Sequence, residues 1–165
     1  MALAGYKMPV ALQDQDRKIL QLLQGDCSLS VADIARQVGL STSPCWRRIT
    51  QMEEQGIIRK RVAVLDHARL GMEVIAFINV KLSQHGRENL EKFESAIRRF
   101  PEVLECYTVT GDTDYLLKIV TRDIRHFEAF LRDNVMVMPM ILETHSTIAV
   151  TEIKDTTELP LETQL

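Results

Sequence analysis

The sequence predicts an α+β chain of two units, a three-helix unit followed by a βαββαβ domain. Three observations predict it. Apolar residues recur at helical spacing from Leu12 to Met52. From Glu73 onward they recur at strand spacing, in runs separated by two helical stretches. The charge also divides: up to Arg61 there are nine Lys/Arg against six Asp/Glu, and beyond it eleven against seventeen. The first part can meet a polyanion and the second would repel one. The expected boundaries are residues 1–62 for the first domain, 63–72 for a linker, 73–153 for the second domain and 154–165 for a tail.

In the first domain, Asp14 can cap a helix whose Ile19, Leu20 and Leu23 share one face. "GDCSLS" breaks the pattern. Ser30 then caps a second helix, Val31 to Val38, with Ile34, Ala35 and Val38 inward, and Gly39 ends it in a left-handed turn. A third helix begins near Ser43 or Pro44 and is closed by Gly56. Helix, helix, glycine turn, helix is a helix-turn-helix, and small Ala35 lets the helices cross closely. "IIRKRVAVLD" alternates like strands and carries Arg59, Lys60 and Arg61, which reads as a β-wing.

The second domain opens with the strand "EVIAFINVKL". "GRENLEKFESAIRRF" is an amphipathic helix burying Leu90, Phe93, Ala96, Ile97 and Phe100. "VLECYTVTG" and "YLLKIVTR" are strands joined by "GDTD". A helix capped by Asp123 buries Ile124, Phe127, Leu131 and Val135, and "ILETHSTIAVTEI" is the last strand. This order is the ferredoxin-like plan, with both helices on one face of a four-stranded antiparallel sheet. The first strand is apolar on both faces, so its second face needs a cover. A second copy of the chain is the preferred cover, and the chain's own tail the alternative. "KDTTELPLETQL" reads as an irregular, loosely held tail.

Several classes are excluded by what the sequence lacks. No apolar run reaches bilayer length, and the N-terminus lacks signal-peptide features, so a cytoplasmic, non-membrane protein is expected. Cys27, Cys45 and Cys106 fit neither a disulfide framework nor a zinc site. His67, His85, His126 and His145 form no pair at metal-ligand spacing. No GxSxG, phosphate loop, CxxC or HExxH motif supports an enzyme, and neither a catalytic group, a metal nor a cofactor is expected.

The stretch "STSPCWRRIT", residues 41–50, holds the chain's one tryptophan. On a helix Cys45, Ile49 and Met52 face the core, while Ser43, Trp46, Arg47 and Thr50 face outward. Pro44 suits a first turn. Ser41, Thr42 and Ser43 can meet phosphates, aided by the helix dipole. Arg47 has the reach for a guanine edge or a phosphate. Arg48 lies nearer the core and suits the DNA backbone or an acidic neighbour. Trp46 is suited to sugar or thymine methyl groups. With Arg59, Lys60 and Arg61, these residues form a candidate surface for double-stranded DNA. The alternative is a tryptophan in a hydrophobic seam beside solvated arginines.

Residues 12–66 resemble the DNA-binding domain of the Lrp/AsnC (feast/famine) regulators. The family pattern is matched at Asp16, Ile19, Leu20, Ala35, Val38, Gly39, Leu40, Ser41, Cys45, Arg48, Ile49, Glu53, Gly56 and Ile58. Gln13 stands where the family often has aspartate, which can shift the first cap by one residue, and Trp46 is not part of the pattern. "ECYTVTGDTDYLLKI" resembles the family's effector domain. The resemblance implies an amino-acid-responsive transcription regulator that dimerises through its sheets, often assembles into octamers, and binds its effector near "TGDTDY". On that basis Gly111 would admit a ligand closely, Asp112 and Asp114 would accept from an α-ammonium group, and backbone N–H groups would hold a carboxylate. Thr108, Val109, Thr110 and Tyr115 flank the turn, and Thr144 and Ser146 on the last strand could add polar contacts. An effector-independent architectural DNA-binding protein, and an enzyme with a regulatory module, are the competing classes. A plain hairpin turn is the competing reading of "GDTD".

Overall fold

The computed structural model of the chain describes residues 10–83 and 86–161. Residues 1–9 of the first domain, His85 and residues 162–165 of the tail lie outside the described residues. The chain forms two compact units, one of residues up to Ala63 together with those from Lys154, the other of Val64–Ile153.

The first unit is built on three helices, α1 (Asp14–Gly25), α2 (Val31–Val38) and α3 (Thr42–Glu54). The α1 cap falls on Gln13 rather than Asp14: Gln13 is extended, and its N–H donates to the Asp16 carboxylate at 3.1 Å. Asp14 is then the first helical residue and pairs with Arg17. In α2 the expected cap is present, the Asp33 N–H donating to the Ser30 hydroxyl at 3.1 Å. Gly39 ends the helix at φ 71°, a conformation that costs most residues with a side chain about 1–2 kcal/mol. Because Ser41 is extended and takes the N-cap, α3 starts at Thr42, slightly earlier than its sequence predicts.

The three helices meet on Ile19, Leu23, Ile34, Ala35, Cys45, Ile49 and Met52. Each large side chain buried there is worth about 1.5–3 kcal/mol. Beyond α3, Gly56 turns at φ 70° and the N–H groups of Ile57 and Ile58 both donate to the Met52 carbonyl. The expected β-wing does not form: residues 59–66 contain no strand. The alternating Val62, Val64 and Leu65 are exposed, and a two-stranded ribbon needs an apolar surface to pack on. The tail is irregular, as expected, but it is held. The Gln24 side-chain amide donates to the Leu159 carbonyl at 2.9 Å and accepts the Leu159 N–H at 3.0 Å.

The second unit has the predicted order, β1 (Val74–Leu82), α4 (Arg87–Ile97), β2 (Val103–Thr108), β3 (Tyr115–Thr121), α5 (Ile124–Phe130) and β4 (Ile141–Ile148). The sheet order is β2-β3-β1-β4, all pairs antiparallel. One face carries Ala76, Ile78, Val80 and Leu82 of β1 and Tyr115, Leu117 and Ile119 of β3. Phe93 and Ile97 of α4 and Phe127 and Phe130 of α5 pack on it. Asp123 caps α5 as predicted, accepting the His126 N–H at 2.9 Å. Ile124, expected in the core, is 52% exposed, and Phe130 is buried instead. The helix then widens into a π-helical turn, Leu131–Val135, which shifts the inward phase away from a simple 3.6-residue repeat. β4 stops at Ile148, short of the expected Ile153.

The opposite sheet face is partly apolar and uncovered within this unit: Phe77 is 36% and Tyr107 54% exposed. The segment expected as a linker contains a built turn, in which the His67 ring and the Met72 carbonyl lie 2.6 Å apart.

Candidate DNA interface and effector turn

The phase of α3 sorts its residues. Cys45, Ile49 and Met52 are buried, and burial pushes the Cys45 thiol up. Ser41, Thr42, Ser43, Trp46 and Arg47 are exposed, Trp46 at 56%, while Pro44 and Thr50 are half-buried. The two arginines have different surroundings. Arg48 donates to the Asp16 carboxylate and to the Gln13 side-chain oxygen, both at 2.8 Å, tying α3 to the start of α1. Arg47 has no ion-pair partner among the described residues. Its guanidinium keeps its donors available for an outside acceptor. Arg59 and Lys60 are exposed and likewise have no ion pair among the described residues, whereas Arg61 holds Glu53 at 2.9 Å.

In the second unit the turn between β2 and β3 is fixed from both sides. The Val109 N–H donates to the Asp114 carbonyl at 3.0 Å, and the Asp114 N–H to the Val80 carbonyl at 2.9 Å. The Asp114 carboxylate accepts the Leu82 N–H at 2.7 Å, just where β1 and β4 shift register. Asp114 thus joins the turn to the neighbouring strand. Gly111, at φ 117°, forms the exposed tip with Thr110 and Asp112. Tyr115 is 1% exposed and lies 4.5 Å from Phe93, centroid to centroid. Its hydroxyl donates to Glu94 at 3.2 Å, and burial raises its pKa.

The sheet register also separates the candidate polar residues. Thr108 pairs with Tyr115, Tyr115 with Val80, and Val80 with Thr144, one row across four strands. Thr108 and Thr144 therefore stand at opposite edges, roughly 14 Å apart. Ser146 lies two residues further along the Thr144 edge. A single chain does not gather these residues around the turn.

It does supply partners that periodicity left unassigned. Glu94 of α4 and Arg98 at its C-cap line a cleft of about 300 Å³, together with the core residue Ile97 and with Cys106, Thr108 and Tyr115. Glu94 and Arg98 lie 3.5 Å apart and offer both charges at its rim. The signal was their spacing of one helical turn, which reads equally as an ordinary surface pair. Desolvation, then the Glu94 charge, push the Cys106 thiol up.

Comparison with known proteins completes this picture. A winged helix-turn-helix DNA-binding family model matches residues 12–59, and the Lrp/AsnC ligand-binding domain matches residues 75–159. The chain belongs to the Lrp/AsnC family. It is similar to the DNA-binding transcriptional activator DecR of Escherichia coli, at 37% identity over 89% of this chain and 97% of that protein. It resembles the transcriptional regulator AzlB of Bacillus subtilis, at 37% identity over 94% and 99%. Among solved structures, an AsnC family transcriptional regulator from Agrobacterium tumefaciens superposes with a TM-score of 0.86 at 46% identity, covering 91% of this chain and 97% of that one. A transcriptional regulator from Neisseria meningitidis, solved as a complex with L-Met, gives 0.88 at 37% identity, covering 92% and 98%. The Lrp/AsnC chain described here is thus a DNA-binding transcriptional regulator with a small-molecule ligand-binding domain, of a regulatory rather than an enzymatic family. None of its described helices is long and apolar enough to cross a membrane.

Proposed function

We propose that the chain is a cytoplasmic, amino-acid-responsive regulator that binds double-stranded DNA as a homodimer and senses its effector at the turn of residues 108–115. One observation carries the effector reading. Within the turn Asp114 is committed to Leu82, while Asp112 stands exposed beside a glycine whose backbone has room for a ligand. An exposed carboxylate and open backbone N–H groups suit the two ends of an amino acid. The L-Met complex of the Neisseria meningitidis relative supports the ligand class. Thr144 and Ser146 would then act on a neighbouring chain's turn, since they lie across the sheet from their own.

The dimer reading rests on the uncovered sheet face around Phe77 and Tyr107. Burying such a face against a second copy removes apolar area from water. Two copies would present paired α3 helices to a pseudo-palindromic site. In each, Arg47 with Trp46, Thr50 and the first-turn residues Ser41, Thr42, Ser43 and Pro44 would face the major groove. Arg59 and Lys60 would add phosphate contacts, while Arg48 and Arg61 hold the frame. Assembly beyond the dimer, to an octamer, is the form in which an effector at a contact between dimers would respace the DNA-binding units. The ligand must favour one assembly over another, since equal affinity for both shifts nothing.

The test is fluorescence anisotropy on a duplex selected from a randomised pool, with and without each common amino acid, alongside sedimentation of the free protein. At least one amino acid should change DNA affinity or assembly. Arg47→Ala should weaken DNA binding by about tenfold or more. Indifference to every amino acid would sink the effector reading while leaving DNA binding intact.

A further inference from the structure

At the far end of β3 from the turn lies a second cleft, of about 400 Å³, within the range of small-molecule sites. β3 spans seven residues, so the two ends are roughly 20 Å apart. Met72, Pro101, Val120 and Phe130 give the cleft an apolar lining. Polar groups converge on it from three elements: Arg122 just past β3, Glu102 before β2, and Asp133 and Asn134 in the π-helical turn, where Arg132 already pairs with Asp133 at 3.1 Å. A π-helical turn costs regular hydrogen bonding and is enriched at functional sites.

Arg122 is held in place by a relay. Its guanidinium contacts the His126 Nε2. A guanidinium can only donate, so that nitrogen accepts and the ring proton sits on Nδ1. Nδ1–H then donates to the Asp123 carboxylate at 2.7 Å. Asp123 is itself fixed by accepting the His126 backbone N–H at 2.9 Å. The relay uses one edge of the guanidinium and leaves its other N–H donors available, beside an apolar wall. Glu102 lies on the opposite side of the charge balance, and no ion pair engages it among the described residues.

We propose that this cleft is a second site for an α-amino acid with an apolar side chain. Arg122 receives its carboxylate, Glu102 its ammonium, and the Phe130 wall its side chain. A guanidinium held along one edge by His126 and a carboxylate without an ion pair among the described residues, lining the same partly apolar cleft, match a zwitterion with an apolar body. The class of ligand rests on the amino-acid reading above; the location does not. A ligand here would bridge α5 and the loops before β1 and β2, and so stabilise the second unit independently of the turn.

Calorimetric titration of the full chain with L-methionine tests this, with its 2-oxo acid as the arm that lacks the ammonium. Three variants separate the sites: Arg122→Gln removes the charge, Ala129→Phe fills the cleft without touching its charges, and Asp112→Ala addresses the turn. Circular dichroism melting verifies that each folds. The expected result is a binding event that survives Asp112→Ala and weakens about tenfold or more in Arg122→Gln and Ala129→Phe. The 2-oxo acid should bind this site at least about tenfold more weakly than methionine. Loss of all binding in Asp112→Ala, with Arg122→Gln and Ala129→Phe unchanged, overturns the cleft and leaves the turn reading standing. Binding unaffected by Asp112→Ala but abolished by both cleft variants removes the turn and keeps the cleft. No methionine binding to the unaltered chain overturns the proposal.

Discussion

Each unit holds a pair of like residues close in sequence, one turned outward and one committed inward. In the first unit the pair is Arg47 and Arg48. Arg48 bonds to Asp16 and Gln13, while Arg47 has no ion pair among the described residues. In the second unit the pair is Asp112 and Asp114. Asp114 accepts the Leu82 N–H, while Asp112 stands at the exposed tip. The arginines are separated by a helix, whose 100° step gives consecutive residues different surroundings. The aspartates are separated by an irregular turn, where no period assigns direction. The same division of labour is therefore encoded by phase in one place and by a tertiary contact in the other.

The largest expected effect breaks the second pair. Asp114→Ala leaves the Leu82 N–H without its partner at the register shift of β1. An unmet backbone donor costs about 1–3 kcal/mol. Asp112→Ala removes an exposed carboxylate and should change stability by less than about 0.5 kcal/mol. Urea unfolding followed by circular dichroism compares the two. Equal losses would show that the aspartates are not divided as the structure has them.

The contrast explains what could be read from the sequence. The helix-turn-helix was legible because Ser30 and Gly39 punctuate α2 and because Cys45, Ile49 and Met52 share one phase. The βαββαβ order was legible for similar reasons. The wing was not, since alternation at Val62 and Val64 states that a strand could form, not that a partner is present. Ile124 was misassigned because the buried stripe of α5 is set by Phe127 and Phe130, and at about 100° per residue the first helical residue, Ile124, falls well away from Phe130. At the turn, Gly111 and the two aspartates marked a site, but the role of Asp114 depends on Leu82, 32 residues away in the chain. The register alone reveals that Thr144 and Ser146 lie across the sheet from Thr108.

A smaller effect sharpens the first pair. Arg48→Ala removes two charge-assisted bonds at a partly exposed position, so solvent discounts their worth to about 1 kcal/mol. Arg47→Ala should leave stability unchanged and act on DNA affinity alone. Trp46 is the one tryptophan and sits on α3, so its fluorescence follows unfolding of the first unit. A stability loss in Arg47→Ala equal to that in Arg48→Ala would erase the distinction.

The smallest effect concerns Asp123, a committed aspartate whose role was legible because it follows a helix-capping pattern. Its carboxyl is held below the usual carboxylate range, first by the His126 backbone N–H and then by the His126 side chain. A carboxyl whose pKa is lowered in the folded state contributes stability above the unfolded carboxylate range. That contribution is lost as pH falls through the folded value. Asp123→Asn keeps a side-chain oxygen able to cap α5 but removes the charge and the titration. The variant should therefore be slightly less stable than the parent at neutral pH, and the deficit should shrink at about pH 3. Melting curves at the two pH values measure the difference. A deficit of the same size at both would mean that the cap, rather than the charge, is what Asp123 contributes.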